Sequence, residues 1–511
     1  MRKPRVVVIG AGVGGIVAAL LLGANGFEVT VLERAGKPGG KLRAVDVGGL
    51  AVDAGPTVFT MRWVFDEILS EAGAEWPEGL ALKPLQRLAR HAWSDGARLD
   101  LFTDVSRSAE AIAAFAGKAE AEGYRRFCAR AAAVYATLED SYIRAARPSP
   151  LGLARRAGLQ GLPGLWRISP FTTLWDALGD YFRDARLRQL FGRYATYCGS
   201  SPFAAPATLM LVAHVERQGV WTLDSGMSGL AAALAGLARQ RGATFLYAQE
   251  AERILVEGGR VAGVATREGA HFPAEAVVFN GDAAALAAGL LGRDAARAVG
   301  LAPQAAPSLS ALTWAIPATA TGFPLEHHNV FFNEDYRAEF DDIFARRRLP
   351  RAPTIYVCAQ DRGKGDTPPK PERLFCLVNA PALDGTGDID PAELRACEET
   401  TFRRLARYGL ELSFDPANCV RTGPAQFARL FPATGGALYG QASHGWRASF
   451  TRPGSATKLP GLYLAGGSTH PGAGAPMAAL SGRLAAHRLM ADLASTRQSF
   501  RGATPGGTST P

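Results

Sequence analysis

Six residues near the amino end carry the first chemical signal. Gly10-Ala11-Gly12-Val13-Gly14-Gly15 fits G-x-G-x-x-G, and Glu33 stands 18 residues after Gly15. Glycine admits a tight turn at Gly10, lets a pyrophosphate approach the backbone at Gly12, and lets a helix pack closely at Gly15. Glu33 is placed to accept hydrogen bonds from a ribose hydroxyl. Proton transfer has its own candidates in His214, Glu216, His327, His444 and His470. None of these is assigned as the catalytic base. His470 is the one singled out, because it directly precedes the small-residue turn Pro471-Gly472-Ala473-Gly474.

These residues need elements to hold them. Val6-Val7-Val8-Ile9 is a short β-branched run, as a buried parallel strand requires. Residues 16–23 read as the following helix, and residues 28–32 as a second strand ending at Glu33. The helix N-terminus would offer free N–H groups and a positive dipole end to phosphates. Basic Arg2, Lys3 and Arg5 before an apolar run also resemble a signal peptide or a short span. Glycines 10, 12, 14, 15 and 23 interrupt that run and favour the strand–turn–helix reading.

Composition narrows the field. The chain of 511 residues, 47% hydrophobic and 20% charged, is globular in type and of a size for roughly three domain-sized units. Its net charge of +9 comes without a dense basic run or a recognition-helix spacing, so nucleic acid is not expected as a partner. Six cysteines are widely spaced without a CxxC, which predicts free thiols in a reducing cytoplasm. His327-His328 has no partner cluster at ligand spacing, so no metal is expected.

Two further stretches complete the dinucleotide reading. Gly226-Met227-Ser228-Gly229-Leu230 opens a helix reaching about Arg239. Residues 244–247, 252–257, 260–267 and 276–279 alternate like strands, with Gly258-Gly259 as a hairpin turn. Near the carboxyl end, residues 461–468 form a strand running into a glycine turn, and residues 478–490 form a helix. Its N-terminus can stabilise negative charge on a bound ring. The Ser-, Thr-, Gly- and Pro-rich tail, residues 496–511, is expected to be disordered.

After Glu33-Arg34, the segment Gly39-Gly40-Lys41-Leu42-Arg43 and the later Ala54-Gly55-Pro56-Thr57 resemble the flavin amine oxidase and carotenoid desaturase superfamily. Across residues 5–490 the chain resembles the bacterial carotenoid (phytoene-type) desaturases. Tyr181-Phe182-Arg183-Asp184, Gly219-Val220-Trp221, Phe340-Asp341-Asp342 and Thr469-His470-Pro471-Gly472-Ala473-Gly474 carry the likeness. The ending Ala475-Pro476-Met477 and the segment Gly435-Gly436-Ala437-Leu438-Tyr439-Gly440 are most similar to the hydroxycarotenoid 3,4-desaturases, or methoxyneurosporene dehydrogenases.

The resemblance implies an α/β architecture. A Rossmann-like FAD-binding domain would be assembled from residues 1–80, 220–300 and 451–495. A mixed α+β domain, residues 81–219 and 301–450, would take substrate and face a membrane. It implies FAD contacts from Gly10, Gly12, Gly14, Gly15, Glu33, Arg34, Gly40, Lys41, Arg43, Gly55, Pro56 and Thr57. Arg253, Ile254, Gly466, Gly467, Gly474, Ala475, Pro476 and Met477 would complete them. Trp221, His327 and His444 are expected along the substrate channel, and His470 near the flavin.

The implied reaction introduces a C3–C4 double bond into 1-hydroxy- or 1-methoxycarotenoids, a hydride passing to the flavin and a proton to a base or water. Phytoene or neurosporene desaturation, and a non-enzymatic prenyl-lipid escort role, are the alternatives. Oxygen or a quinone would take the electrons. The expected location is cytoplasmic, peripheral to the inner or intracytoplasmic membrane. Arg144, Arg147, Arg155, Arg156 and Arg167, interleaved with leucines, Trp166, Phe171 and Trp175, would supply the membrane contact.

Overall fold

The computed structural model describes residues 2–146, 171–300, 306–363, 367–384 and 387–502. Arg147, Arg155, Arg156, Arg167 and Trp166 of the expected membrane stretch lie outside them.

Five short strands form a parallel sheet in the order Leu462–Leu464, Ala276–Phe279, Arg5–Ile9, Glu28–Glu33, Thr244–Tyr247. They come from three distant stretches of chain. Such a sheet must be covered on both faces, which is why its strands read as continuous apolar runs. Helices Val13–Ala24, Gly226–Gln240 and Ala475–Gly502 contribute Leu20, Leu234 and Leu489 to the core on one face. On the other, Ile254, Val261 and Val264 of the strands Ala251–Glu257 and Arg260–Thr266 pack on Val7, Val277 and Leu464. The strand order reverses at Arg5–Ile9, and ligands of such sheets bind at the carboxyl ends of strands beside that reversal.

The second body is an eight-stranded sheet. Its path runs from Glu411–Ser413 through Ser310–Thr321, Glu372–Ala380, Ile355–Ala359, His328–Phe331 and Arg87–Ala92 to Arg98–Phe102, with Val420–Thr422 beside Ser310–Thr321. Within the expected mixed α+β domain, residues 87–102 give this sheet two strands. Asp95-Gly96 turns between them, Gly96 sitting at φ +82°. The helical stretch after them is broken at Gly117 (φ +102°) into Val105–Ala116 and Lys118–Leu138. Their apolar faces pack with the short helices Leu174–Leu178 and Ala185–Gly192.

The last helix is longer than the sequence reading had it. It begins at Ala475 and continues to Gly502, through part of the stretch expected to be disordered. Residues 491–501 contain neither Gly nor Pro, so nothing local stops the helix before Gly502. Among the described residues, no helix is long and apolar enough to cross a membrane.

Candidate active site: a glycine cradle opening into an apolar arm

The first turn is held by contacts that only glycine allows. Gly10 adopts φ +97°, and a Cβ on Gly15 would stand 2.2 Å from the Gly10 carbonyl oxygen. The second glycine pair docks on this turn. Gly39 N–H donates to Ala11 O at 2.8 Å, and a Cβ on Gly40 would press within 3.2 Å of Gly12 Cα. Glu33 ends its strand beneath them. Its Oε2 accepts from Ala11 N at 2.7 Å and its Oε1 from Ala35 N at 2.8 Å. An ionised carboxylate has about four acceptor positions, so capacity for a ribose remains.

One cavity of about 1280 Å³ runs from this cradle. Gly10, Gly12, Gly14, Glu33, Arg34, Gly40, Lys41, Arg43, Gly55, Pro56 and Thr57 line it, together with Gly466, Gly467, Gly474, Ala475, Pro476 and Met477. The size exceeds the ~300–1,000 Å³ of an ordinary single-ligand pocket. Gly12 caps the helix Val13–Ala24 without any side-chain hydrogen bond, leaving its N-terminal N–H groups to a ligand. Lys41 Nζ donates to Leu438 O at 2.5 Å and faces the Phe431 ring at 5.1 Å. Burial pushes its pKa down, against the attraction of Asp282. A glycine floor, an uncapped helix end and a half-buried lysine fit an extended anionic dinucleotide.

Asn280 was not singled out for a role, although it opens Asn280-Gly281-Asp282 at a strand end. Its Nδ2 donates to Gly10 O at 3.1 Å, tying the central strands together at the cradle.

Beyond the cradle the wall turns apolar. Leu138, Ile143, Leu209, Val212, Val215, Phe375 and Leu377 line this arm. Phe171, Trp446 and Phe450 also belong to the wall, and Phe171 is 73% exposed with its ring 5.6 Å from that of Trp446. A polar group interrupts the arm at Arg193, Tyr197, Glu216 and Tyr356. Only Glu216 of these was a sequence candidate.

Several expected contacts fall elsewhere. Ala251 and Glu252 line the cavity in place of Arg253 and Ile254. A register shift between Ala251 and Arg253 re-aims the strand, and Ile254 is buried in the core. Trp221 is not among the described lining residues; its ring meets Phe59 edge-on at 6.2 Å. His444 Nε2 accepts from Ser201 N at 3.1 Å, and its ring lies against Phe344. His214 packs on Tyr135, ring centroids 4.9 Å apart.

His470 is a correction of the same kind. Its Nε2 donates to Ala145 O at 2.8 Å, its ring meets Tyr142 edge-on, and burial brings its pKa down to about 4. The lining passes from Ser468 to Pro471 without it. It anchors the turn rather than facing the cavity.

His327 also lies off the lining, its Nδ1 2.8 Å from Arg362 O. It does have partners that spacing could not disclose. His328 pairs with Cys358 across antiparallel strands, and the ligand atoms of His327, His328 and Cys358 lie within 4.8 Å of one another. Among the described residues this group stops at three, one short of a tetrahedral structural zinc set.

The chain is similar to known proteins in sequence and in fold. The chain is 54% identical over 512 residues to a hydroxyneurosporene desaturase of Rubrivivax gelatinosus, covering 100% of this chain and 98% of the relative. A hydroxyneurosporene desaturase of Rhodobacter capsulatus is 48% identical over 489 residues, 95% of this chain and 98% of the relative. In fold it is similar to an oxidoreductase from Methanosarcina mazei, with TM-score 0.57, 17% identity and coverage of 94% and 99%. A putrescine oxidase bound to putrescine gives TM-score 0.58 at 13% identity, covering 96% and 99%. The profile of the flavin containing amine oxidoreductases matches residues 13–490, and the chain belongs to that family.

Proposed function

We propose that this chain is an FAD-dependent carotenoid desaturase that introduces the C3–C4 double bond into 1-hydroxy- or 1-methoxycarotenoids. The observation that carries the reading is the continuity of the cavity. A cradle suited to a dinucleotide opens directly into an apolar arm, with no wall between them. The relatives named hydroxyneurosporene desaturase, alike over their full length, support the substrate class.

Each part of the chain then has a task. Residues 1–80, 220–300 and 451–495 bind FAD, with Glu33 toward the ribose and the N-terminus of the helix Ala475–Gly502 toward the ring. The bound flavin supplies a hydride acceptor. Leu209, Val212, Val215 and Phe375 exclude water and fix the polyene by shape, since a hydrocarbon offers few hydrogen-bond handles. The hydrogens at C4 are allylic, so charge left by hydride loss spreads into the polyene. Oxygen or a quinone takes the electrons.

The exposed Phe171 and the half-buried Trp446 stand on the cavity wall, with Arg447 5.2 Å over the Trp446 ring. Aromatic and basic groups together suit a lipid interface, from which an acyclic carotenoid would enter a peripherally attached enzyme.

The test is direct. Purified protein is expected to carry FAD, identified by absorbance and mass. With 1-hydroxyneurosporene it should give a product whose chromophore is longer by one double bond. Absence of bound flavin, or an unchanged chromophore under air and with added quinone, refutes the reading.

A further inference from the structure

The apolar arm contains one concentrated polar group, and a pure hydrocarbon would have no use for it. Arg193 begins the segment Arg193–Cys198; it is half-buried and lines the cavity. Its surroundings are phenols. The guanidinium carbon lies 5.3 Å from the Tyr356 ring centre and 5.7 Å from that of Tyr197. Glu216, on the helix Leu211–Arg217, accepts from Tyr194 Oη at 2.8 Å and also bonds Tyr197. Burial pushes its carboxyl pKa up, opposed by those phenols and by Arg193. An acid held toward its neutral form can donate as well as accept.

The group reaches the cradle. Tyr356 Oη lies 2.6 Å from Thr57 Oγ1 and 2.7 Å from His328 Nδ1. Thr57 closes Gly55-Pro56-Thr57, which lines the cradle end of the same cavity. A string of polar side chains therefore leads from the cradle to Glu216 along a wall that also carries Leu209, Val212, Val215 and Phe375. Burying polar groups is costly unless they find partners.

We propose that Arg193, Tyr197 and Glu216 bind the oxygen on C1 of the carotenoid end group. The inference rests on the desaturase reading and names the residues that read the end group. Arg193 donates to the C1 oxygen, whether hydroxyl or ether. A hydroxyl also donates to Glu216, which an ether cannot do. C1 lies two carbons from C3, so an oxygen held beside Tyr356 keeps the C3–C4 bond toward the cradle.

The test compares wild type, Arg193→Met and Tyr197→Phe, each purified and checked for flavin content and thermal unfolding. The substrates are 1-hydroxyneurosporene and the same skeleton with hydrogen in place of the hydroxyl. The ratio of kcat/KM for the hydroxylated over the deoxy compound is expected to fall about tenfold or more in Arg193→Met, and several-fold in Tyr197→Phe. If Arg193→Met does not fold, Tyr197→Phe, which removes a single oxygen, carries the test. A wild-type ratio near one, or a ratio the variants leave unchanged while absolute rates fall, overturns the inference and leaves desaturation standing. Wild type that desaturates neither compound sinks both.

Discussion

Gly482 lies directly against Gly14: a Cβ on Gly482 would stand 2.1 Å from the Gly14 carbonyl oxygen. One glycine opens the first helix and the other lies on the last, so two helices that begin more than 450 residues apart touch backbone to backbone. Gly14 is equally tight in the other direction, its own added Cβ falling 2.9 Å from both Gly466 N and Ala478 O. The cradle and the carboxyl-terminal turn share this contact.

Gly482→Ala is therefore expected to push the last helix off the first. Overpacking of this kind costs about 1–3 kcal/mol. Thermal unfolding should come several degrees earlier, with reduced flavin content on purification. An unaltered melting temperature together with full flavin content would contradict the close contact.

Glu33→Ala should cost stability as well as cofactor. The variant leaves Ala11 N and Ala35 N without the carboxylate that now receives them. A buried donor left unsatisfied costs about 1–3 kcal/mol. Urea unfolding of the flavin-free protein measures this part alone, and a loss confined to flavin binding would disprove the bracing role.

Lys41→Met should weaken flavin retention by about tenfold, because it removes a half-buried positive charge from the cavity wall. Burial lowers the Lys41 pKa, so its charge is lost as pH rises toward that lowered value. Wild type should release flavin more readily at alkaline pH, and Lys41→Met should show a flatter profile. Ultrafiltration followed by flavin fluorescence reads both.

Acid should destabilise the protein before the carboxylates titrate. His91 and His470 are both held down to about 4, and His328 is pushed well below its ordinary value, each mainly by burial. Folded, they stay neutral; unfolded, they bind protons at about 6.5. Their contribution is complete above that value and is lost as pH falls from there toward 4. Each histidine adds a slope of about 1.4 kcal/mol per pH unit within the window. Denaturant unfolding at pH 7.5, 6.5 and 5.5 should show the midpoint falling mainly over the last interval, and a flat profile would refute it.

Phe171→Ser combined with Trp446→Ser should reduce turnover of carotenoid presented in vesicles more than turnover in detergent. Flotation with liposomes should fall in parallel. Equal rates in both settings would remove the case for a lipid-facing mouth.

How far the sequence foretold these arrangements depends on the range of the forces involved. The turn at Gly10, the strand ending at Glu33 and the Gly258-Gly259 hairpin follow from local steric demands, and all three appear at the expected residues. Arg253 and Ile254 were misplaced because a bulge re-aims their strand, an effect without a residue signature. Cys358 meets His327 and His328 only through the register of two paired strands. Arg193, Tyr197 and Glu216 converge from a six-residue 3-10 helix and a seven-residue α-helix, both too short for periodicity to fix direction. Trp221 was expected on the channel from the family resemblance and His470 near the flavin from its place before the Pro471 turn, and both meet protein partners instead.

The interleaving of the parallel sheet has a consequence for biosynthesis. Arg5–Ile9 leaves the ribosome early, whereas Leu462–Leu464 is made last of the five strands, tens of seconds later at about 5–20 residues per second. Until then the edge of Ala276–Phe279 has no neighbour, and Gly14 lacks the helix that seals it. The cavity wall from Gly466 to Ala478 is added only after that strand, and a nascent chain stalled before residue 462 would present an open sheet edge and an unfinished cavity.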